Sequence, residues 1–368
     1  LQFLLDSNHC TEADANPDDG DGILSPHANN PVMRPAHFLS AILLVTIAHT
    51  SPLSAQKVRK KPALPTGATV ERNLVYETVG GRKLPLDLYH PKSESNALPL
   101  VIWIHGGAWR GGSKHHPGPA LNLLERGYAV ASVEYRLSGE AIFPAALEDC
   151  KAAVSFLRLH ATNYRLDPER FGAWGSSAGG HLVSMLGTTG DTDFFQTHPV
   201  TEKASSRIQA VCNWFGPSDF LRMNDFPSTI DHDAPDSPES QFIGGPIQQN
   251  PEKSQRANPI TYVSKADPPF LHIHGTADKL VAFNQSELLH AALGKAGVSS
   301  TLQKVEGGNH GFSRGKPTRK KLVDQSMEFF DRILNPASTP PKFSSPPVWL
   351  PPCGERLPTH AKRPDDPQ

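Results

Sequence analysis

Cysteine is scarce in this chain. Its four cysteines, Cys10, Cys150, Cys212 and Cys353, never stand two residues apart, which argues against a zinc cluster or a dithiol redox motif. Charge of one sign is also lacking. The net charge is −1, so no bulk field favours nucleic acid or an anionic membrane surface. The apolar run from Phe38 to Ala48 is too short to cross a bilayer as a helix. No internal repeat is visible. Asp231, Asp233 and Asp236 lack the glycine and closing glutamate of a calcium loop. Gly315-Lys316 runs into Pro317 and makes no phosphate-binding loop. His115-His116 reads as a solvated loop rather than a metal site. No cofactor, no metal and no nucleic-acid partner is therefore expected. Hydrophobic residues make up 38%, below the globular average, so part of the chain is expected outside the core.

What is present divides the 368 residues into four stretches. Residues 1–32 are polar and without periodicity, and are expected to be a non-native upstream extension. Residues 33–55 begin with Met33-Arg34, continue through the apolar run and end in Ser54-Ala55. That order of charge, apolar run and small residue matches a secretory signal, with a buried amphipathic helix as the alternative. It predicts a secreted or periplasmic protein starting near Gln56, with no stable membrane insertion after the signal is removed. Residues 56–335 read as one catalytic domain. Residues 336–368 carry 10 prolines and no periodic pattern, and are expected to be disordered.

Within 56–335, strands and helices alternate. Asn73–Thr78 and Arg82–Tyr89 flank Gly80-Gly81 and predict a hairpin. Strands are expected at 98–104, 128–134, 171–174, 208–215, 270–274 and 301–305. Helices are expected at 119–125, 143–160, 182–186, 285–296 and 320–334. The alternation implies a mostly parallel central sheet with helices on both faces. Cys150 and Cys212 fall in core elements and read as buried thiols, with a disulfide left open.

The stretch Gly175-Ser176-Ser177-Ala178-Gly179-Gly180 lies between the 171–174 strand and the next helix. Strand, Gly-x-Ser-x-Gly and helix form the context of a nucleophile elbow, where a sharp turn lifts the Ser177 hydroxyl above the sheet. A serine hydroxyl needs a base to take its proton. Asp278 ends a loop after the 270–274 strand, and His310 sits in the glycine-rich loop Glu306–Phe312 after the last strand. In these positions His310 is expected to accept the Ser177 proton and Asp278 to orient the imidazole. Gly106 and Gly107, after the 98–104 strand, are expected to donate backbone N–H groups together with Ala178 to an oxyanion. Asp219 is a weaker candidate for the acid. Arg136 and Asp149 pair to brace the region under the site, or stand as two separate surface charges.

His105-Gly106-Gly107-Ala108-Trp109, the 175–180 elbow, Asp278 and His310 together resemble the α/β-hydrolase esterases of the hormone-sensitive-lipase and acetylxylan/feruloyl-esterase-like group. The resemblance spans Val70 to Leu334 and includes Tyr135-Arg136-Leu137, Phe215-Gly216-Pro217-Ser218-Asp219 and Asn258-Pro259-Ile260-Thr261-Tyr262. Ala108 departs from the common His-Gly-Gly-Gly form, which puts in doubt which N–H groups donate. The resemblance implies the α/β-hydrolase fold and a serine esterase working through an acyl-enzyme. It points to acetylated or feruloylated polysaccharide as substrate, with an amide or peptide bond as the alternative. A non-catalytic binding module on the same scaffold is a further alternative, although such a module usually lacks a triad member.

The segment between Phe215 and Phe270 is long enough to cover the site. Asp225, Asp231, Asp233, Asp236 and Glu239 lie in it among prolines, with no amphipathic stripe, which argues against a lipase lid and for a short acyl group. Trp109, Trp214 and Phe215 are the candidate aromatic surface for a sugar or phenolic ring. The sequence is silent on oligomeric state.

Overall fold

The computed structural model describes residues 64–335, apart from Asn96 and Asp191. The expectations for 1–32, 33–55 and 336–368, with Cys10 and Cys353, lie outside the described residues.

Eight strands form one sheet. β1 (Thr69–Val79) and β2 (Arg82–His90) make the antiparallel hairpin across Gly80-Gly81. There follow β3 (Leu98–Ile104), β4 (Ala129–Val133), α1 (Ala145–Leu159), β5 (Leu166–Ser176), α2 (Ala178–Thr188), α3 (Pro199–Lys203) and β6 (Ala210–Trp214). α4 (Pro238–Ile243) and α5 (Pro251–Arg256) lie in the long connection to β7 (Phe270–Gly275). α6 (Asn284–Lys295), β8 (Ser300–Val305) and α7 (Arg319–Leu334) close the domain. The spatial order is β1-β2-β4-β3-β5-β6-β7-β8, and every pair from β4 to β8 is parallel. This is the α/β-hydrolase architecture.

β3 reads as an unbroken apolar run and is buried throughout because both faces are covered. Alternate residues enter different cores. Leu100, Ile102 and Ile104 of β3 pack with Leu147 of α1, Leu182 of α2 and Leu289 of α6. Val101 and Trp103 pack on the other face with Leu123 and with Phe330 of α7. Each such side chain contributes about 1.5–3 kcal/mol on burial.

Three elements differ from the sequence expectation. Residues 118–126 form a 3-10 rather than an α-helix; the Asn122 side chain donates back to Pro119 O at 2.7 Å and competes with the backbone donors. β5 starts at Leu166, five residues before the apolar run, although Asp167-Pro168-Glu169 reads as a loop. Its start is fixed by pairing: Leu166 sits opposite Leu98 and is buried. The 216–269 connection is ordered by short helices that side chains cap, as when Ser237 Oγ accepts from Ser240 N at 3.0 Å at the start of α4. Cys150 and Cys212 are free and buried.

Candidate active site

The elbow stands where β5 hands over to α2. Ser177 has φ 56° and ψ −124°, a conformation that costs a non-glycine residue of order 1–3 kcal/mol and persists only when the surroundings enforce it. The enforcing contacts are backbone on backbone. A Cβ on Gly175 would lie 2.2 Å from Gly179 O, and one on Gly179 would lie 2.1 Å from Ile104 O. Only glycine lets the elbow cross β3 this closely. Ser177 N donates to Trp214 O at 2.9 Å, which ties the turn to the end of β6.

Asp278 follows β7 and its side chain is fully buried. Oδ1 accepts from the backbone N–H groups of Leu280 and Val281 at 2.9 and 3.1 Å. Oδ2 lies 2.7 Å from His310 Nδ1 and 3.4 Å from His274 Nε2. Burial alone would raise the Asp278 carboxyl, but hydrogen bonds from His274 and His310 outweigh it and hold the group well below the usual carboxylate range. With Nδ1 on Asp278, His310 keeps Nε2 for a second partner. His310 and Ser177 line the same two spaces. One is a small, half-open pocket of about 80 Å³, and the other is a wider open groove of about 560 Å³. Such a set can pass a proton from a hydroxyl to an imidazole held by a carboxylate.

The loop after β3 reaches the elbow from the side. A Cβ on Gly106 would lie 2.6 Å from Ser176 O and 3.2 Å from Ser177 Cβ. Gly106 and Gly107 line the open groove, and Ala178 lines the small pocket at the first position of α2. The Gly106 carbonyl is 2.9 Å from His105 Nδ1, whose ring stacks on Tyr135 with centroids 4.4 Å apart.

The three candidate aromatic residues separate. Trp109 lines the small pocket and stacks on Phe242 at 4.6 Å. Phe215 lines the open groove and packs against the His310 ring at 4.5 Å. Trp214 does not face the site. As a β6 residue in phase with Cys212 it points into the opposite core, against Trp174 and Phe312, and its Nε1 donates to Ser326 Oγ at 3.1 Å. Strand alternation puts Trp214 on the Cys212 side of β6, whereas Phe215 lies past the end of the strand with φ 44° and reaches the groove.

Asp219 plays a local role: it caps the turn at 220–225 through Leu221 N and accepts from Asn258 Nδ2 at 3.0 Å. Arg136 and Asp149 do pair, with Arg136 Nε and Nη2 both on the carboxylate at 2.7–3.0 Å. His115 and His116 are exposed, and no group of three metal-type ligands occurs among the described residues.

Two residues near Ser177 carry no recognisable motif. His232 and Glu239 line the small pocket, and both are buried. Glu239 thereby differs from Asp231 and Asp236 of the same segment, which are exposed. The seven-residue spacing between His232 and Glu239 would suit two turns of a helix, but Pro235 and Pro238 between them rule out one continuous helix, so the pair has no local signal.

A family model described as BD-FAE matches residues 86–293. Esterase LipQ of Mycobacterium tuberculosis is 26% identical over 264 residues, which cover 69% of this chain and 60% of that protein. The chain thus spans less than two thirds of that relative's length. Among solved structures, a truncated form of a carbohydrate esterase from gut microbiota is similar at TM-score 0.65 and 32% identity, over 74% of this chain and 99% of that one. Esterase 2 of Thermogutta terrifontis with propionate bound is similar at TM-score 0.59 and 26% identity, over 75% of this chain and 97% of that one.

Proposed function

The chain belongs to the BD-FAE family, and from that membership and the site geometry we propose a carboxylic-ester hydrolase with Ser177 as nucleophile, His310 as general base and acid, and Asp278 as the orienting carboxylate. The observation that carries this reading is the His310–Asp278 bond in a cavity that His310 shares with the strained elbow serine.

Ser177 Oγ attacks the ester carbonyl carbon while His310 Nε2 takes the hydroxyl proton. The carbonyl oxygen becomes an oxyanion beside the Ala178 N–H and the Gly106–Gly107 loop, at the positive end of α2. Ala108 retains its own N–H, so the missing third glycine leaves backbone donation intact. The tetrahedral intermediate collapses, and His310 gives the proton to the leaving alcohol. A water, deprotonated by His310, then attacks the acyl-enzyme; the second collapse returns the proton to Ser177 and releases the acid.

The small pocket, about 80 Å³ against about 560 Å³ for the groove, is the narrower of the two spaces that Ser177 lines and is assigned the acyl group. That assignment favours a short acyl chain over a long or feruloyl one. The open groove suits a large alcohol, and likeness to a carbohydrate esterase supports an acylated polysaccharide.

A fluorophosphonate probe is expected to label Ser177 and to leave Ser177→Ala unlabelled. The variant is expected to lose several orders of magnitude in turnover, about 10⁶ where a full triad operates. Labelling elsewhere, or an active variant, overturns the assignment. Rates on 4-nitrophenyl esters are expected to peak between acetate and butyrate and to fall steeply by octanoate. Export is proposed from the order of charge, apolar run and small residues over 33–55. N-terminal sequencing of protein from its own host is expected to start near Gln56, and cytoplasmic protein retaining 34–55 refutes it.

A further inference from the structure

The small pocket has apolar walls at Trp109, Ile230, Leu280 and Val281, yet besides His310 two of its wall residues are ionisable. The His232 and Glu239 side chains are 1% and 3% exposed and meet at 2.9 Å between Nδ1 and Oε2. Their surroundings are built to hold them. His232 Nε2 lies 3.2 Å from Ser228 Oγ, and His232 N donates to Asn224 Oδ1 at 3.1 Å. Ser228 Oγ and Thr229 N donate to Lys279 O at 2.9 and 2.8 Å, one residue beyond Asp278. A buried carboxylate and imidazole are costly, and apolar side chains of the same volume would fill the wall at least as stably. Packing gives no reason for a carboxylate beside the reaction centre.

We propose that His232 and Glu239 form a hydrogen-bonding end to the acyl pocket, selecting short acyl groups that carry a hydroxyl over apolar acyl groups of the same length. The proposal rests on the esterase reading above, with Ser177 as nucleophile. The small pocket takes the acyl group and the wider groove the sugar, the larger part of the substrate going to the roomier of the two spaces that Ser177 lines. In the small pocket the Glu239 carboxylate accepts the acyl O–H, and His232 fixes the carboxylate by donating from Nδ1. An apolar chain in the same place strips water from the carboxylate and returns no bond, the arrangement that discriminates most strongly between otherwise similar substrates.

The test compares 4-nitrophenyl 3-hydroxybutyrate with 4-nitrophenyl butyrate, each corrected for its rate of alkaline hydrolysis. The wild-type protein is expected to prefer the hydroxylated ester in kcat/KM. Glu239→Gln keeps the shape and the bond from His232 but replaces one acceptor oxygen by an N–H₂ donor, and is expected to reduce that preference about tenfold. Should the variant fail to fold, product inhibition of the wild type decides the same point, with 3-hydroxybutyrate expected to inhibit more strongly than butyrate. A wild-type protein that is labelled at Ser177 but treats both esters and both acids alike overturns the subsite and leaves the esterase reading standing. A variant that retains the full preference also overturns it. A protein that is neither labelled nor active overturns both.

Discussion

His181 offers a test of the packing beneath the elbow. It lies one turn into α2, and its ring is enclosed by Trp109, Phe220 and Phe242 at centroid distances of 5.2, 5.2 and 5.6 Å. Nε2 lies 2.6 Å from Ala257 O, which makes it the protonated nitrogen, while Nδ1 is buried without a hydrogen-bond partner among the described residues. A second proton would have nowhere to point. Burial pushes the imidazole down to about 4, against the smaller upward pull of the Ala257 carbonyl. Below its ordinary pKa of about 6.5 the unfolded chain binds a proton that the native state refuses, so acid draws the equilibrium toward unfolding. The contribution is intact above pH 6.5 and is lost as pH falls toward 4. Between pH 8 and pH 4.5 it spans about two pKa units, or about 3 kcal/mol. His181→Phe keeps the aromatic contacts and removes the titration. At pH 8 it leaves the Ala257 carbonyl unpaired and is expected to cost about 1–3 kcal/mol. Urea unfolding at both pH values is therefore expected to show the parent losing about 3 kcal/mol more than the variant on acidification, so that the two converge near pH 4.5. Equal losses in the two proteins would refute the neutral, enclosed imidazole.

Asp278→Asn preserves the shape of the acid but cannot select the His310 tautomer as a carboxylate does, and kcat is expected to fall about 10⁴-fold; a fall below tenfold in steady-state assays argues for another acid. Gly179→Ala drives a Cβ to 2.1 Å from Ile104 O, whereas a Cβ on Gly294 in α6 meets nothing within 4 Å. Thermal unfolding is expected to show Gly179→Ala destabilised by about 3 kcal/mol or more, and Gly294→Ala stabilised by about 0.4–1 kcal/mol; the same sign for both contradicts the elbow packing. Trp214→Phe is expected to cost about 1–3 kcal/mol through the lost bond to Ser326, with no change in the ranking of esters by kcat/KM; a changed ranking returns Trp214 to the site.

The parts legible in the sequence are those with strong local periodicity. β3 is an apolar run buried on both faces, and the ends of β3 and β7 were readable to within a residue. The elbow was legible because its glycines answer a steric demand that leaves no other residue type. Asp278 and His310 were found through chain order, each in a loop after a strand. Trp214 shows the limit of that method. It stands beside the site in sequence, but the two-residue period of β6 decides which core receives its ring.

The 216–269 connection was illegible for a different reason. Its composition suggested a solvated cover, because acidic residues among prolines bury little apolar surface. It is ordered instead by polar contacts between residues far apart in sequence. Gln285 Oε1 in α6 accepts from Ser218 N and Asp219 N at 2.8 Å each, and Asn258 Oδ1 accepts from Phe220 N at 3.0 Å. Ser228 and Thr229 close onto the carbonyl of Lys279. Such bonds have no periodicity to read, since each depends on where the chain has already been brought by the sheet. Their effect is to fasten the connection at the Asp278 loop and at α6, both fixed by β7. The wall that carries His232 and Glu239 is therefore held by the same strand that positions the Asp278 carboxylate, so a substitution that loosens the Lys279 contacts is expected to disturb the proposed acyl selection and the His310–Asp278 bond together.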